Sequence, residues 1–221
     1  MKEIDLTTYK KRNQFRYFST FSDPTYGFDV DVDVEAVVAL ARSRQESFFP
    51  FFLYFVIKGV NSVEEMRLRI VKGKVLSYEE INPTWTVMTE SGVYMNSGME
   101  MDWDFDHFAK KVKAITEEVK KTQPNEELDL FPICAQPDVV YATCIPSLAF
   151  KGMTHPTPSG DPDSLSVPRI CWGQFRKEND GRCHLTLNIT VSHALVDGFP
   201  LAQCFNAIKA YCLAPEENLR K

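Results

Sequence analysis

The chain has only four histidines and ten glycines in 221 residues, and no Cys-x-x-Cys pair. Its histidines and its six cysteines, at 134, 144, 171, 183, 204 and 212, never fall at metal-ligand spacing, so no metal site is expected. No apolar run is long enough to cross a bilayer, because the best candidate, 48–60, is broken by Pro50 and Lys58. The opening residues Met1-Lys2-Glu3-Ile4-Asp5 carry no export-type apolar stretch, so a cytoplasmic location is expected. In that compartment the cysteines are expected to be reduced, buried small hydrophobes. Basic charge is in deficit, with 25 Lys and Arg against 30 Asp and Glu. A net charge of −5 argues against nucleic acid or an anionic membrane as partner. Repeats, low-complexity tracts and linkers are absent, and the length fits one domain over 1–221.

Aromatic residues, by contrast, are plentiful. Sixteen Phe, eight Tyr and three Trp require an aromatic core or interface. Residues 27–33 alternate Phe28, Val30 and Val32 with Asp29, Asp31 and Asp33, which reads as a strand with one wet face. Helical spacing follows over 34–44. Ser47 is placed to cap a second helix to about Asn61, with Pro50 in its first turn. Residues 66–71 and 74–78 flank Lys72-Gly73 as a hairpin, and 83–89 pairs with 92–97. An amphipathic helix is expected over 104–121, closed by Pro124, and strands over 138–146, 167–176 and 183–192. The stretch 151–168, with four prolines, reads as irregular, and a last helix spans 199–213 with Pro215 beyond it. The fold class is α+β, a two-layer sandwich of one large mixed sheet with helices on one face.

The last strand ends at a histidine and a tight turn: Val191-Ser192-His193-Ala194-Leu195-Val196-Asp197-Gly198. A neutral imidazole on a rigid strand end suits a general base near pH 7. The other role open to such a histidine is a hydrogen-bonded core residue. Asp197, if buried, needs a cation; as a helix N-cap it needs only backbone N–H groups. His107 is expected solvated on its helix, His184 on a strand face and His155 in the proline-rich loop.

Several ordered blocks, from Tyr9 to Cys212, resemble the chloramphenicol acetyltransferase family. They are Phe48-Phe49-Pro50, Glu65-Met66-Arg67, Pro83-Thr84-Trp85-Thr86-Val87, Leu130-Phe131-Pro132, Cys144-Ile145-Pro146 and the H-x-x-x-D-G run from His193 to Gly198. The resemblance implies a homotrimer with active sites between subunits. It implies acetyl transfer from acetyl-CoA, a co-substrate rather than a resident cofactor, to a hydroxyl of chloramphenicol or another small acceptor. The route is a ternary complex, with His193 as base and Asp197 fixing the turn by pairing with a basic residue, here Lys11. By the same resemblance Phe18, Met95, Phe131 and Ile170 line an apolar acceptor slot with Tyr17 close by. Cys171 and Phe175 face the coenzyme, and Gln174 and Ser192 replace basic and histidine residues. The family's oxyanion serine falls at Gly152, which has no hydroxyl. These departures leave a second expectation standing, a trimeric binding protein of the same fold with impaired catalysis. The acyltransferase core of 2-oxo acid dehydrogenase complexes shares the H-x-x-x-D-G run but needs lipoyl and subunit-binding segments for which 221 residues leave no room.

Overall fold

In the computed structural model, which describes residues 1–123, 127–179 and 181–219, the apolar run after Ser47 is a helix. Ser47 has extended backbone and its hydroxyl accepts a hydrogen bond from the Phe49 N–H at 3.4 Å. Pro50 sits in the first turn, where its missing N–H costs nothing. This helix is α3 (Phe48–Asn61); before it come β1 (Lys2–Glu3), α1 (Arg12–Phe18), β2 (Thr25–Asp33) and α2 (Glu35–Ser43). A 3-10 turn at Glu65–Arg67 leads to the hairpin of β3 (Leu68–Val71) and β4 (Lys74–Ser77). Lys72 and Gly73 close it with φ of 51° and 77°, the left-handed pair that two-residue hairpins favour. A second hairpin, β5 (Asn82–Met88) and β6 (Tyr94–Gly98), precedes α4 (Phe105–Lys121), which Asp104 caps through the His107 N–H. After a 3-10 turn at Pro132–Ala135 come β7 (Val139–Ile145), α5 (Pro162–Leu165), β8 (Arg169–Gly173), β9 (Arg176–Lys177), β10 (Cys183–Ser192), α6 (Gly198–Leu213) and α7 (Pro215–Leu219).

The main sheet runs β2-β10-β8-β7-β5-β6, with β9 on β10, while β1, β4 and β3 form a separate small sheet. The pairs β5–β7 and β7–β8 are parallel and the others antiparallel, so the sheet is mixed. Alternation decides what each face does. Leu185, Leu187, Ile189 and Val191 of β10 and Val32 of β2 are buried in the core. On β8 and β5, Trp172 packs on Phe49 and Phe52 of α3, and the Trp85 indole N–H donates to Thr116 of α4. The helices therefore cover one face. The other carries Asp29, Asp31 and Asp33 opposite Asn188, Thr186 and His184. This is the two-layer α+β arrangement expected from the sequence pattern.

Three details differ from that pattern. The expected strand over 167–176 is two strands. A Cβ on Gly173 would stand 2.5 Å from the Leu148 carbonyl and 3.0 Å from the Phe150 ring, and the Gln174 N–H donates to that carbonyl at 2.9 Å. The loop after β7 thus captures the chain and lifts it off the ladder. Within 151–168 a helical turn forms because Asp161 caps it through the Ser164 N–H at 3.0 Å, with Pro162 at its first position. Pro215 does not merely end α6 but opens α7. The proposed stop at Pro124 lies outside the described residues. All six cysteines are free and five are buried.

Arg69 is fully buried and, among the described residues, forms no ion pair with a carboxylate. Its Nε donates to the Pro137 carbonyl, Nη1 to those of Met66 and Leu68, and Nη2 to that of Val139, at 2.7–3.0 Å. Burial pulls its pKa down to about 9, and the four carbonyl dipoles hold the charge while fastening the hairpin to the start of β7. Replacing Arg69 by Ala leaves those carbonyls unpaired around a void and is expected to cost about 3–5 kcal/mol. Urea unfolding should show this as a lower midpoint at unchanged slope.

Candidate active site

β10 delivers His193 directly after Ser192, where its backbone N–H donates to the Pro24 carbonyl at 2.9 Å. Phe18 stacks on one face of the imidazole, centroids 3.9 Å apart and planes 11° apart, and Tyr26 lies 4.5 Å away at 33°. The two aromatic neighbours fix the ring plane. Nδ1 is buried, lacks a hydrogen-bond partner and lies 3.5 Å from Asp197 Oδ1. Since the side chain is still 32% exposed, the accessible edge is Nε2.

Asp197 precedes α6 but makes no side-chain cap bond. Its carboxylate pairs instead with Lys11 at 3.0 Å, and Lys11 also meets Glu65 at 3.2 Å. Of the two roles open to Asp197, the geometry matches pairing with a cation. Burial lowers the Lys11 pKa, but hydrogen bonds to Asp197 and Glu65 outweigh it and leave the ammonium above its ordinary value. Burial likewise raises Glu65, and a backbone N–H with Lys11 outweighs it, leaving the carboxyl below its ordinary value. The Tyr26 hydroxyl donates to the Val196 carbonyl at 3.2 Å. Burial, with the Asp197 charge second, pushes that phenol up to about 12 and keeps it a donor. Glu65 belongs to the E-M-R block, yet nothing in a linear reading joins it to Lys11.

Of the expected acceptor residues, only Phe18 touches His193. Met95 lies opposite Val87, on the same face as Trp85, and Ile170 shares a face with Trp172; both are buried in the core on the helix side. Phe131 is half-buried at the turn before β7. Cys171 lies opposite Asn188 on the other face, fully buried, and burial pushes its thiol up to about 11. Phe175 sits 5.3 Å from Phe48 at the start of α3. Gly152 lies over Asp29, where a Cβ would be 3.5 Å from Oδ2, and the next N–H, of Met153, donates to Asp29 Oδ1. The same strap brings His155 Nε2 within 3.0 Å of the Asn188 side-chain oxygen, whose amide nitrogen donates to Asp29 and to the Met153 carbonyl. His107 is exposed on α4.

Two cavities flank the end of β7. One, about 510 Å³, opens on the helix-free face and is lined by Thr84, Thr86, Asn96, Tyr141 and Thr143, with Asp129 at its edge. The other, about 810 Å³, lies between α3, α4 and the helix side of the sheet, and reaches Cys144 and Pro146. Thr143 was missed in the sequence: it directly precedes the Cys144-Ile145-Pro146 block, and period-two alternation puts it and Cys144 on opposite faces. Among the described residues no group of three or more His, Cys, Asp or Glu is arranged to hold a metal, and no helix is long and apolar enough to cross a membrane.

The sequence model of the chloramphenicol acetyltransferase family matches residues 1–209. Chloramphenicol acetyltransferases of Proteus mirabilis and Vibrio anguillarum are 22% and 24% identical, covering 95% and 93% of this chain and 93% and 91% of their own. A solved chloramphenicol acetyltransferase superposes with a TM-score of 0.85 at 21% identity, covering 96% of this chain and all of its own. A probable dihydrolipoamide acetyltransferase from Listeria monocytogenes superposes at 0.65 with 14% identity, over 97% of this chain and 95% of its own, and shares the fold.

Lys11→Met removes the cation shared by Asp197 and Glu65, leaving Glu65 only the exposed Lys10 ammonium at 3.8 Å. Because the Glu65 pKa is depressed on folding, the ion pair's stability is fully present above about 4.5 and fades as pH falls through the folded value. Thermal unfolding of this variant should therefore show a deficit at pH 7 that shrinks toward pH 4, whereas Lys11→Arg should show little at either pH.

Proposed function

The chain belongs to the chloramphenicol acetyltransferase family and is an acyltransferase, and from that premise we propose an acetyl-CoA-dependent O-acetyltransferase with His193 as general base. The observation that carries this reading is the clamped imidazole, held between Phe18 and Tyr26 with only Nε2 accessible. In a ternary complex Nε2 takes the acceptor's hydroxyl proton as its oxygen bonds to the thioester carbonyl carbon. The carbon–sulfur bond then breaks, and the departing thiolate takes the proton back from the imidazolium. Asp197 acts as a positioning residue through Lys11.

His193 lines neither cavity, which supports a site completed by a second copy of the chain. Tyr17, Phe18, Phe21, Tyr26 and Phe28 form a chain of ring contacts around the imidazole, and Tyr17, Phe21 and Phe28 are exposed. An aromatic collar of this kind suits a subunit interface, in keeping with a homotrimer. The acceptor then occupies the 510 Å³ cavity of the neighbouring subunit. Its threonines, tyrosine and asparagine suit an acceptor with several polar groups, and chloramphenicol is one candidate.

A second reading, a binding protein of the same fold with impaired catalysis, is favoured by the missing hydroxyl at Gly152. A hydroxyl there would face the Asp29 carboxylate, however, and would donate to it rather than to an oxyanion. Thr143, which lines the proposed acceptor cavity, is the hydroxyl we assign to that role instead.

Thiol release from acetyl-CoA with a panel of hydroxyl acceptors separates the readings. His193→Ala should lower turnover by roughly 10²–10⁴-fold in a chain that still folds. Thr143→Val should lower kcat by roughly 10²–10³-fold with little change in KM, while Gly152→Ser leaves it nearly unchanged. Turnover absent in the parent protein over the whole panel would establish the binding-protein reading instead.

A further inference from the structure

The charged groups that line the 510 Å³ cavity are of one sign. Glu127 and Asp129 stand beside Thr84, Thr86, Tyr141 and Thr143, and among the described residues no lysine, arginine or histidine lines it. Asn96 Nδ2 donates to Asp129 Oδ1 at 2.7 Å, which orients that carboxylate, and Asp129 enters no ion pair among the described residues. Its charge is felt in the wall. Burial, with the Asp129 charge second, pushes the Cys134 thiol up to about 11. Burial also raises the Tyr141 phenol, with Arg169 opposing and Asp129 adding to it. Arg169 lies 5.7 Å from the Tyr141 ring, gives Nη1 to the Val167 carbonyl and Nη2 to the Ser164 hydroxyl, and does not line the cavity.

Register says how far this carboxylate stands from the hydroxyl assigned to the oxyanion. Asn96 pairs with Thr86 on β5, and the β5–β7 ladder, which runs to Trp85 opposite Ala142, brings Thr143 level with Thr86. Asn96 and Thr143 are therefore two strand spacings apart, about 10 Å.

We propose that the acceptor is an amino alcohol whose ammonium group sits against Asp129 while its hydroxyl, at the far end of the skeleton, reaches Thr143. The assignment rests on the acetyltransferase reading and adds a charge requirement to it. A neutral acceptor strips water from the two carboxylates and gives nothing equivalent in return, whereas an ammonium replaces that water with a charge-assisted hydrogen bond. With the nitrogen at hydrogen-bond distance from Asp129, its span to the reacting hydroxyl is roughly 6–8 Å, about that of a para-disubstituted benzene ring. Thr84, Thr86 and Tyr141 lie between the two ends and suit further polar groups on the skeleton. Chloramphenicol, whose nitrogens belong to an amide and a nitro group, lacks the cation.

Calorimetry and thiol release with para-(aminomethyl)benzyl alcohol and para-benzenedimethanol, which differ by an ammonium in place of one hydroxyl, test the assignment. The amine should bind the parent protein roughly five- to tenfold more tightly than the diol at low ionic strength, a preference that added salt erodes. The same preference should appear in kcat/KM. Asp129→Asn, which keeps an oxygen for Asn96, should bring the two affinities within about twofold of each other. Glu217→Gln, on the exposed side of α7, serves as charge control and should leave the preference intact. Thermal unfolding and sedimentation check the fold and assembly of the Asp129 variant. Equal affinities in the parent, an amine that does not bind, or a preference that survives Asp129→Asn would overturn the assignment and leave the acetyltransferase reading intact. So would an Asp129 variant that folds but no longer assembles like the parent, since the carboxylate would then serve a subunit contact. An amine preference that depends on Asp129, without thiol release from any acceptor, would support the cation site and overturn the acetyltransferase reading.

Discussion

One ammonium group holds together three stretches of chain that are far apart in sequence. Lys11 comes from the segment before α1, Glu65 from the turn after α3, and Asp197 from the turn after β10. The hydrogen-bonded pairs outweigh the desolvation of the charge, which is why the cluster survives partial burial. Its effect on the site is geometric. The turn from His193 to Asp197 is short and its carboxylate makes no side-chain cap bond, so the Lys11 ammonium at 3.0 Å is its nearest charged partner. With that end fixed, Phe18 from α1 and Tyr26 from β2 close on the imidazole from either side.

Alternation along β10 then decides what lies on each side of the sheet. Odd-numbered residues from Leu185 to Val191 are core, and even-numbered ones face the helix-free side, where Asn188 ties the strap at Met153 and His155 to Asp29. The same rule applied to β7 sends consecutive residues into different cavities. A sheet one residue thick thus separates the polar cavity from the larger one between α3 and α4.

Much of this was legible in the linear chain, because period-two and helical patterns report burial directly. The wet face of β2, the Ser47 cap, the left-handed Lys72-Gly73 turn and the strand ending at His193 all follow from local chemistry. What was not legible depends on contacts between distant segments. Gly173 is unremarkable in the sequence, and only the loop from Pro146 to Phe150 lying against it divides the expected strand. Asp161 was overlooked because four prolines nearby argued for irregular structure, although Asp-Pro is itself a helix opening. The resemblance put Met95 and Ile170 in an acceptor slot, and the strand register adds that both lie on the helix side of the sheet. Glu65 had no periodicity or spacing to announce it.

The contact between Gly173 and the loop after β7 also constrains how such an enzyme diverges. With no side chain at 173 and a backbone bond from Gln174 to Leu148, the five residues from Pro146 are fixed in length and path. Insertions there would pry the loop from the strand. The stretch beginning at Lys151, held mainly by side chains and tolerant of prolines, carries no such restraint. Lineages that acquire new acceptors are expected to vary its length while leaving the crossing alone.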